Sequence, residues 1–197
     1  MTATLEQPAK EIEIQPHRFS SLEYHAMHEA GVFRHQQRME LIRGEIYFMA
    51  AMGAAHYRAI RVLNRILSHH YSSLAYIVPQ APIKTWDNSE PEPDFALLKL
   101  ESRDDPPFAK DVLLVIEVSD ATVKFDRSVK LAEYARSSIA EYWILNLKDR
   151  QLEVYRQPDG ERYLNIQIVK PDAVFAPLFA LEVTVKWFTA LEALPNG

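Results

Sequence analysis

The amino-acid sequence predicts one α/β (α+β) domain built on a mixed sheet, and three features carry that expectation. From about 54 to 71, Ile60, Leu63, Leu67 and Tyr71 recur at helix spacing along one face. The run VLLVIEVS (112–119) is almost wholly apolar, as a strand buried on both faces should be. A helical segment at about 126–138 and a second apolar run, YWILNL (142–147), follow it. Strand, helix and strand in that order make a compact βαβ unit, for which a right-handed crossover is expected.

The other elements fall around these. Residues 1–17 mix acids, Lys10 and two prolines, and read as a loose lead-in to a single domain spanning 18–197. Ser20 and Glu23 form a capping box that opens a short helix ending near Gly31. His25 and His28, at i and i+3, read either as a metal pair or as polar residues of a helix surface; no third ligand follows nearby. Segment 39–50 has the β-branched and aromatic content of two short strands turning at Arg43 and Gly44. On the 54–71 helix, Arg58, Arg61, Arg65 and His69 line the face opposite the apolar one, while His56 falls with the apolar set and points inward. Strands are expected at 76–86, 93–99 and 112–119, with a polar loop between the last two. From 151 to 185 short antiparallel strands alternate around the turn Pro158, Asp159, Gly160, and a short helix at 187–194 closes the chain.

Several chemistries are excluded. With no cysteine there are no disulfides, thiol nucleophiles, iron–sulfur clusters or Cys-ligated zinc. The five glycines, at 31, 44, 53, 160 and 197, are too scattered for a Rossmann fingerprint or a phosphate loop, and GxSxG is missing. No stretch approaches the ~20 mainly apolar residues of a membrane span, and residues 1–17 resemble neither a signal nor a transit peptide; a cytoplasmic address is expected. The net charge of −5 argues against binding nucleic acid by bulk charge alone.

Two acids stand in apolar company. Asp94 lies inside PDFALL, at the start of an expected strand, and Glu117 lies five apolar residues deep in VLLVIEVS. Ionised carboxylates are costly to bury unless paired or bound to a cation. A buried salt bridge accounts for one such acid, but less comfortably for two at the ends of neighbouring strands. Two convergent carboxylates with a carbonyl and waters would suit Mg²⁺. Glu40 is either a third acid of this group or a surface charge at a strand end. Asp126, Lys130 and Tyr134 stand at i, i+4 and i+8. An Asp–Lys pair at that spacing is by default a surface pair worth about 0.2–0.5 kcal/mol. Beside a metal, the lysine could instead hold a water and balance charge developing on phosphorus.

In this arrangement Asp94, then Glu117-Val118-Ser119, then a helix, resembles the PD-(D/E)XK nuclease superfamily. More closely, the chain resembles its Uma-type family of restriction endonucleases. The matching segments run in order over roughly 20–190: ELIRGEI (40–46), His56, PEPDFALL (91–98), VLLVIEVSDAT (112–122), FDRSVKLAEYA (125–135) and EYWILNL (141–147). The resemblance implies a restriction-endonuclease-like mixed sheet flanked by helices, and a Mg²⁺-dependent endonuclease acting on DNA, with Mn²⁺ as a substitute. Asp94 and Glu117, helped by the Val118 carbonyl, would hold the metal. Ser119 replaces the superfamily's strand lysine, and Lys130 on the next helix would take its role. Glu40 and His56 would support the site, with Gln80 and Asp126 weaker candidates for the same neighbourhood. Arg58, Arg61 and Arg65 form a stripe suited to nucleic-acid phosphates, and restriction-like folds often pair as homodimers to cut two strands. Two other readings stand beside this one: a non-catalytic relative that binds nucleic acid or protein, and a buried ion network of Asp94, Glu117 and Lys130 without catalysis.

Overall fold

The structure is a computed structural model and describes residues 14–33 and 38–188. Helix α1 (Ser21–Glu29) opens on the Ser20–Glu23 capping box, both of whose hydrogen bonds are made. A hairpin of β1 (Met39–Ile42) and β2 (Glu45–Phe48) follows. Its two turn residues, Arg43 at φ 54° and Gly44 at φ 75°, are both left-handed, as the tightest right-twisting hairpin turn requires. Helix α2 (Ala54–Tyr71) leads to β3 (Tyr76–Pro79), β4 (Phe95–Leu98) and β5 (Val112–Ser119). Then α3 (Val123–Phe125), a π-helical turn (Asp126–Lys130) and α4 (Leu131–Arg136) run on without a break to β6 (Glu141–Asn146). The hairpin β7 (Gln151–Asp159) and β8 (Arg162–Val169) and the small pair β9 (Val174–Phe175) and β10 (Val185–Lys186) complete the described chain.

One six-stranded sheet, ordered β3-β4-β5-β6-β7-β8, forms the centre. All its neighbours are antiparallel except β5 and β6, whose parallel pairing is the expected βαβ unit. Side chains alternate between the two faces, so Phe95 and Leu97 pack under α2 with Leu63, Leu67, Trp143 and Trp187. Ala96, Val115, Tyr142 and Ile144 pack on the other face under Tyr134 and Ala135 of α4. A strand covered on both faces needs apolar residues at every position, which is the origin of VLLVIEVS.

Three expectations change, and a fourth lies mostly outside the described residues. The strand begun at 76 ends at Pro79 rather than at 86: Gln80 turns left-handed at φ 47°, and the next residues form isolated bridges, Lys84 to Phe108 and Trp86 to Ser89. Pro79 is tolerated because β3 is a sheet edge. The helix expected at 126–138 starts at Val123, widens through the π turn and stops at Arg136, with Ser138 left-handed at φ 58°. The region after 151 is antiparallel as expected, but besides the short pair β9 and β10 it holds two long strands of nine and eight residues, joined across Gly160 and Glu161. Of the helix expected at 187–194, residues 189–194 lie outside the described residues, as do residues 1–13 of the lead-in. Among the described residues, no helix is long and apolar enough to cross a membrane.

An ion pair ties the π turn to β7. Arg127 donates to Glu153 on β7 at 2.8 and 2.6 Å, and Asn146, Gln151 and Tyr155 donate to the same carboxylate. Burial works against ionisation of Glu153, but these donors, Arg127 foremost, hold its carboxyl down at about 2. A depressed folded value contributes stability that is present above the ordinary 4.5 and lost as pH falls toward 2. Glu153→Gln is expected to cost about 1.5–3 kcal/mol at neutral pH and to flatten the acid limb of the stability curve in that window. Urea unfolding of both proteins between pH 7 and acid checks this; acid limbs of equal slope would refute it.

Candidate active site

The β4–β5 ladder stops where Phe95 pairs with Ile116, so the Val118 N–H lies beyond its last rung and needs an acceptor from elsewhere. The Asp94 carboxylate takes it: Val118 N donates to Asp94 Oδ2 at 2.8 Å. In return the Asp94 N–H points at Glu117 Oε2, 3.4 Å away. The two acids therefore meet at the same end of neighbouring strands, where β4 begins and β5 finishes.

Helices and hairpin close around them. His56, on the first turn of α2, sets Nε2 3.0 Å from Asp94 Oδ1. Lys130 donates to Glu117 Oε1 at 2.8 Å and to Glu40 Oε1 on β1 at 3.1 Å. The Tyr134 hydroxyl, one turn further on, donates to the same Glu117 oxygen at 2.8 Å. Asp126 accepts from the hydroxyls of Ser119 and Thr122. Glu40, Asp94, Glu117, Val118, Asp126, Lys130 and His56 all line one cavity of about 460 Å³. Its mouth carries Arg38, Asp120 and the small apolar loop 49–53.

Most candidates converge, and the bland readings of three fail. Asp126 and Lys130 are no surface pair, because both are 2% exposed. Glu40 is no surface charge at 1% exposure. His56 is not a core histidine but a cavity-lining one bonded to Asp94. Gln80 reaches the neighbourhood only through its backbone N–H, which donates to the Asp94 carbonyl at 3.1 Å; its side chain is exposed. Arg58, Arg61 and Arg65 are exposed on α2 and stand outside the cavity lining. His25 and His28 form no metal pair: His25 bonds to Glu90 at 2.8 Å, and His28 packs on Phe33.

Tyr134 is the contact that spacing alone did not assign; its i+4 relation to Lys130 was the only signal. Buried Glu133, shared by Arg43 at 3.1 Å and Thr85 at 2.7 Å, gave none.

Charge is out of balance here. Four buried carboxylates, Glu40, Asp94, Glu117 and Asp126, face one buried ammonium. Burial opposes the charge on Lys130, yet Glu117, Glu40 and Asp126 hold its pKa above the ordinary lysine value. Burial also raises Asp94, but the hydrogen bond and charge of His56 and the Val118 N–H outweigh it and keep that carboxyl below the usual range. The excess falls on Glu117: burial first, then the neighbouring acids, push it up to about 8 against the pull of Lys130. Glu40 Oε2 is buried with no hydrogen-bond partner.

An oxygen-only donor set with surplus negative charge and an orphaned carboxylate oxygen fits a hard cation. Among the described residues, however, no three His, Asp or Glu side chains form a complete metal cage. The protein would contribute Asp94, Glu117 and the Val118 carbonyl, leaving the other positions to water or substrate oxygens.

The architecture is that of the nuclease-like mixed sheet. It superposes on the crystal structure of a putative nuclease belonging to DUF820 from Anabaena variabilis ATCC 29413, with a TM-score of 0.61 at 16% identity, over 78% of this chain and 90% of that one. Residues 22–187 match the Uma2 family, described as "Putative restriction endonuclease", and the chain belongs to that family. The family resemblance read from the ordered motifs, and the fold it implied, are therefore correct. No curated protein matches the sequence.

Lys130 is the hub of this network. Lys130→Met, which leaves Glu117 and Glu40 buried without their cation, is expected to cost about 3–5 kcal/mol at pH 9. Combined with Glu117→Gln the loss should fall short of the sum by at least about 1 kcal/mol, since both act through one bond. A double-mutant cycle by urea unfolding decides it; additive losses would show that the contact is not energetically shared.

Proposed function

We propose that the cavity hydrolyses DNA phosphodiester bonds with the help of Mg²⁺, for which Mn²⁺ can substitute. The observation that carries this reading is the meeting of Asp94, Glu117 and Lys130 in one cavity, with the ammonium 2.8 Å from Glu117. Asp94, Glu117 and the Val118 carbonyl would hold the cation. When bound, a divalent cation polarises phosphoryl oxygens and lowers the pKa of water beside them.

This chain's own residues do the rest. An ammonium has three donors, and Lys130 uses two on Glu117 and Glu40. The third is left to orient the attacking water and to offset negative charge growing on the phosphoryl oxygens. His56 fixes the rotamer of Asp94, and Tyr134 fixes Glu117. Attack in line with the scissile bond would leave the 5′-phosphate usual for this class of fold. Arg58, Arg61 and Arg65 run along α2 from beside the cavity, and would take flanking phosphates.

One observation favours the non-catalytic alternative: Ser119, at the strand-lysine position, is occupied with Asp126. In that case the fold would serve nucleic-acid binding or protein interaction.

Plasmid nicking separates the two. Wild-type protein should convert supercoiled DNA to nicked or linear form in Mg²⁺ or Mn²⁺ and not in chelator. Asp94→Ala and Glu117→Ala should abolish both cleavage and Mn²⁺ binding by calorimetry, while Lys130→Ala loses cleavage about 10²–10³-fold and retains binding. A wild-type protein that leaves supercoiled, linear and single-stranded DNA intact with every metal would end the nuclease reading.

A further inference from the structure

A second cleft of about 310 Å³ lies at the other end of β5, formed where Lys84 to Trp86 and Phe108 to Lys110 meet the end of α4. Six residues separate Val112, at that end of the strand, from Val118 at the cavity, or roughly 20 Å of extended chain. The cleft therefore belongs to different chemistry from the carboxylate site.

Its composition is unusual for this acidic protein. Lys84, Lys110 and Arg136 line it, and no acid does. Lys84 and Lys110 make no ion pair among the described residues; each holds its ammonium over Phe108 instead, at 5.8 and 5.3 Å from the ring centre. Arg136 lies 4.8 Å over Trp86. One of its nitrogens stands 3.6 Å from buried Glu133, which tempers its charge, while its Nε is buried with no hydrogen-bond partner. The indole N–H is fixed by Ser137 at 3.1 Å, so the ring is held in place. Yet Trp86 remains 48% exposed and Phe108 42%. Two large rings left open to water, one of them flanked by two lysines lacking counter-charges, call for a ligand that is flat, aromatic and anionic.

We propose that this cleft binds single-stranded nucleic acid, with bases stacked on Trp86 and Phe108 and phosphates on Lys84 and Lys110. Stacking platforms interleaved with lysines are what sequence-tolerant strand binding uses. An acidic polypeptide would satisfy the lysines but leave both rings without a matching face. The inference stands apart from the catalytic reading, since it needs neither metal nor the carboxylates.

The three tryptophans make the test selective, because Trp143 and Trp187 are 0% and 2% exposed. A fluorescein-labelled oligothymidylate is titrated into the full chain in EDTA, so that cleavage plays no part. Binding by anisotropy should be accompanied by quenching of the exposed Trp86 emission. Trp86→Ala should weaken binding about tenfold, the loss of one stacked base. Lys84→Gln with Lys110→Gln should make the log–log salt dependence shallower by about 1.4, two phosphate contacts on a single strand. An Arg58→Gln/Arg61→Gln/Arg65→Gln protein should keep the quench. An oligonucleotide that leaves Trp86 emission unchanged, or binds the lysine variant as tightly as wild type, would overturn the proposal. So would poly-glutamate that quenches Trp86 as tightly, since that would assign the cleft to acidic polypeptides.

Discussion

A single buried ammonium organises this molecule. Lys130 is 2% exposed and holds Glu117 from β5 and Glu40 from the β1–β2 hairpin within 3.1 Å. Without it the hairpin, which pairs with no strand of the main sheet, would bring an uncompensated carboxylate against the sheet's end. The helix bearing Lys130 is fixed in turn by Arg127 on Glu153, and Glu117 is fixed by Tyr134. Breaking the ammonium's contacts thus loosens three elements at once. Its contribution to net stability is modest, since desolvation offsets most of the attraction; its consequence is geometric.

The same constraint explains why the helix is irregular where it is. A regular α-helix places Asp126 and Lys130 on one stripe, where their side chains would pair with each other. The π turn that spans them rotates the stripe, so that Asp126 meets Ser119 and Thr122 while Lys130 reaches past to Glu117. Local widening of a helix is commonly found at functional sites, because it repays its strain only where side chains need unusual directions. With Ser119 on the strand, the one buried ammonium beside Glu117 comes from the widened turn of the helix.

Much of this was legible in the residues. Apolar runs and helix spacing revealed β5, β6 and α2, because burial on one or both faces writes itself directly into composition. Asp94 and Glu117 stood out as acids where apolar residues were needed. What spacing could not reveal is which partner a long side chain chooses. Lys130 and Tyr134 looked like a surface stripe, and their convergence on one oxygen depends on the π turn, which no residue type marks. The end of β3 was misplaced for a different reason. Segment 76–86 is β-branched and aromatic at both ends, but Pro79 and Pro82 mark a break between them, where Gln80 turns left-handed. Glu133, buried beneath Arg43 and Arg136, was invisible because its partners come from distant segments.

The net charge of −5 took on a different meaning once the acids were located. Among the described residues eight acids are buried, Glu40, Glu90, Asp94, Glu117, Asp126, Glu133, Glu141 and Glu153, against Lys130 as the one buried base. The described residues hold 23 acids and 20 bases, and setting the buried ones aside leaves 15 acids against 19 bases, so their acidic excess is an interior property. Arg43, Arg127 and Arg156 are drawn toward that interior as partners of Glu133, Glu153 and Glu141. Arg58, Arg61, Arg65, Lys84 and Lys110 are not: they make no ion pair among the described residues. An approaching polyanion responds to charge within about a Debye length of the surface, roughly 8 Å at physiological salt, rather than to a chain-wide sum. Counted by position, four of the buried acids gather around one cavity and the unpaired bases stand on the surface, a separation that the total conceals and that the proposed metal-assisted cleavage would use.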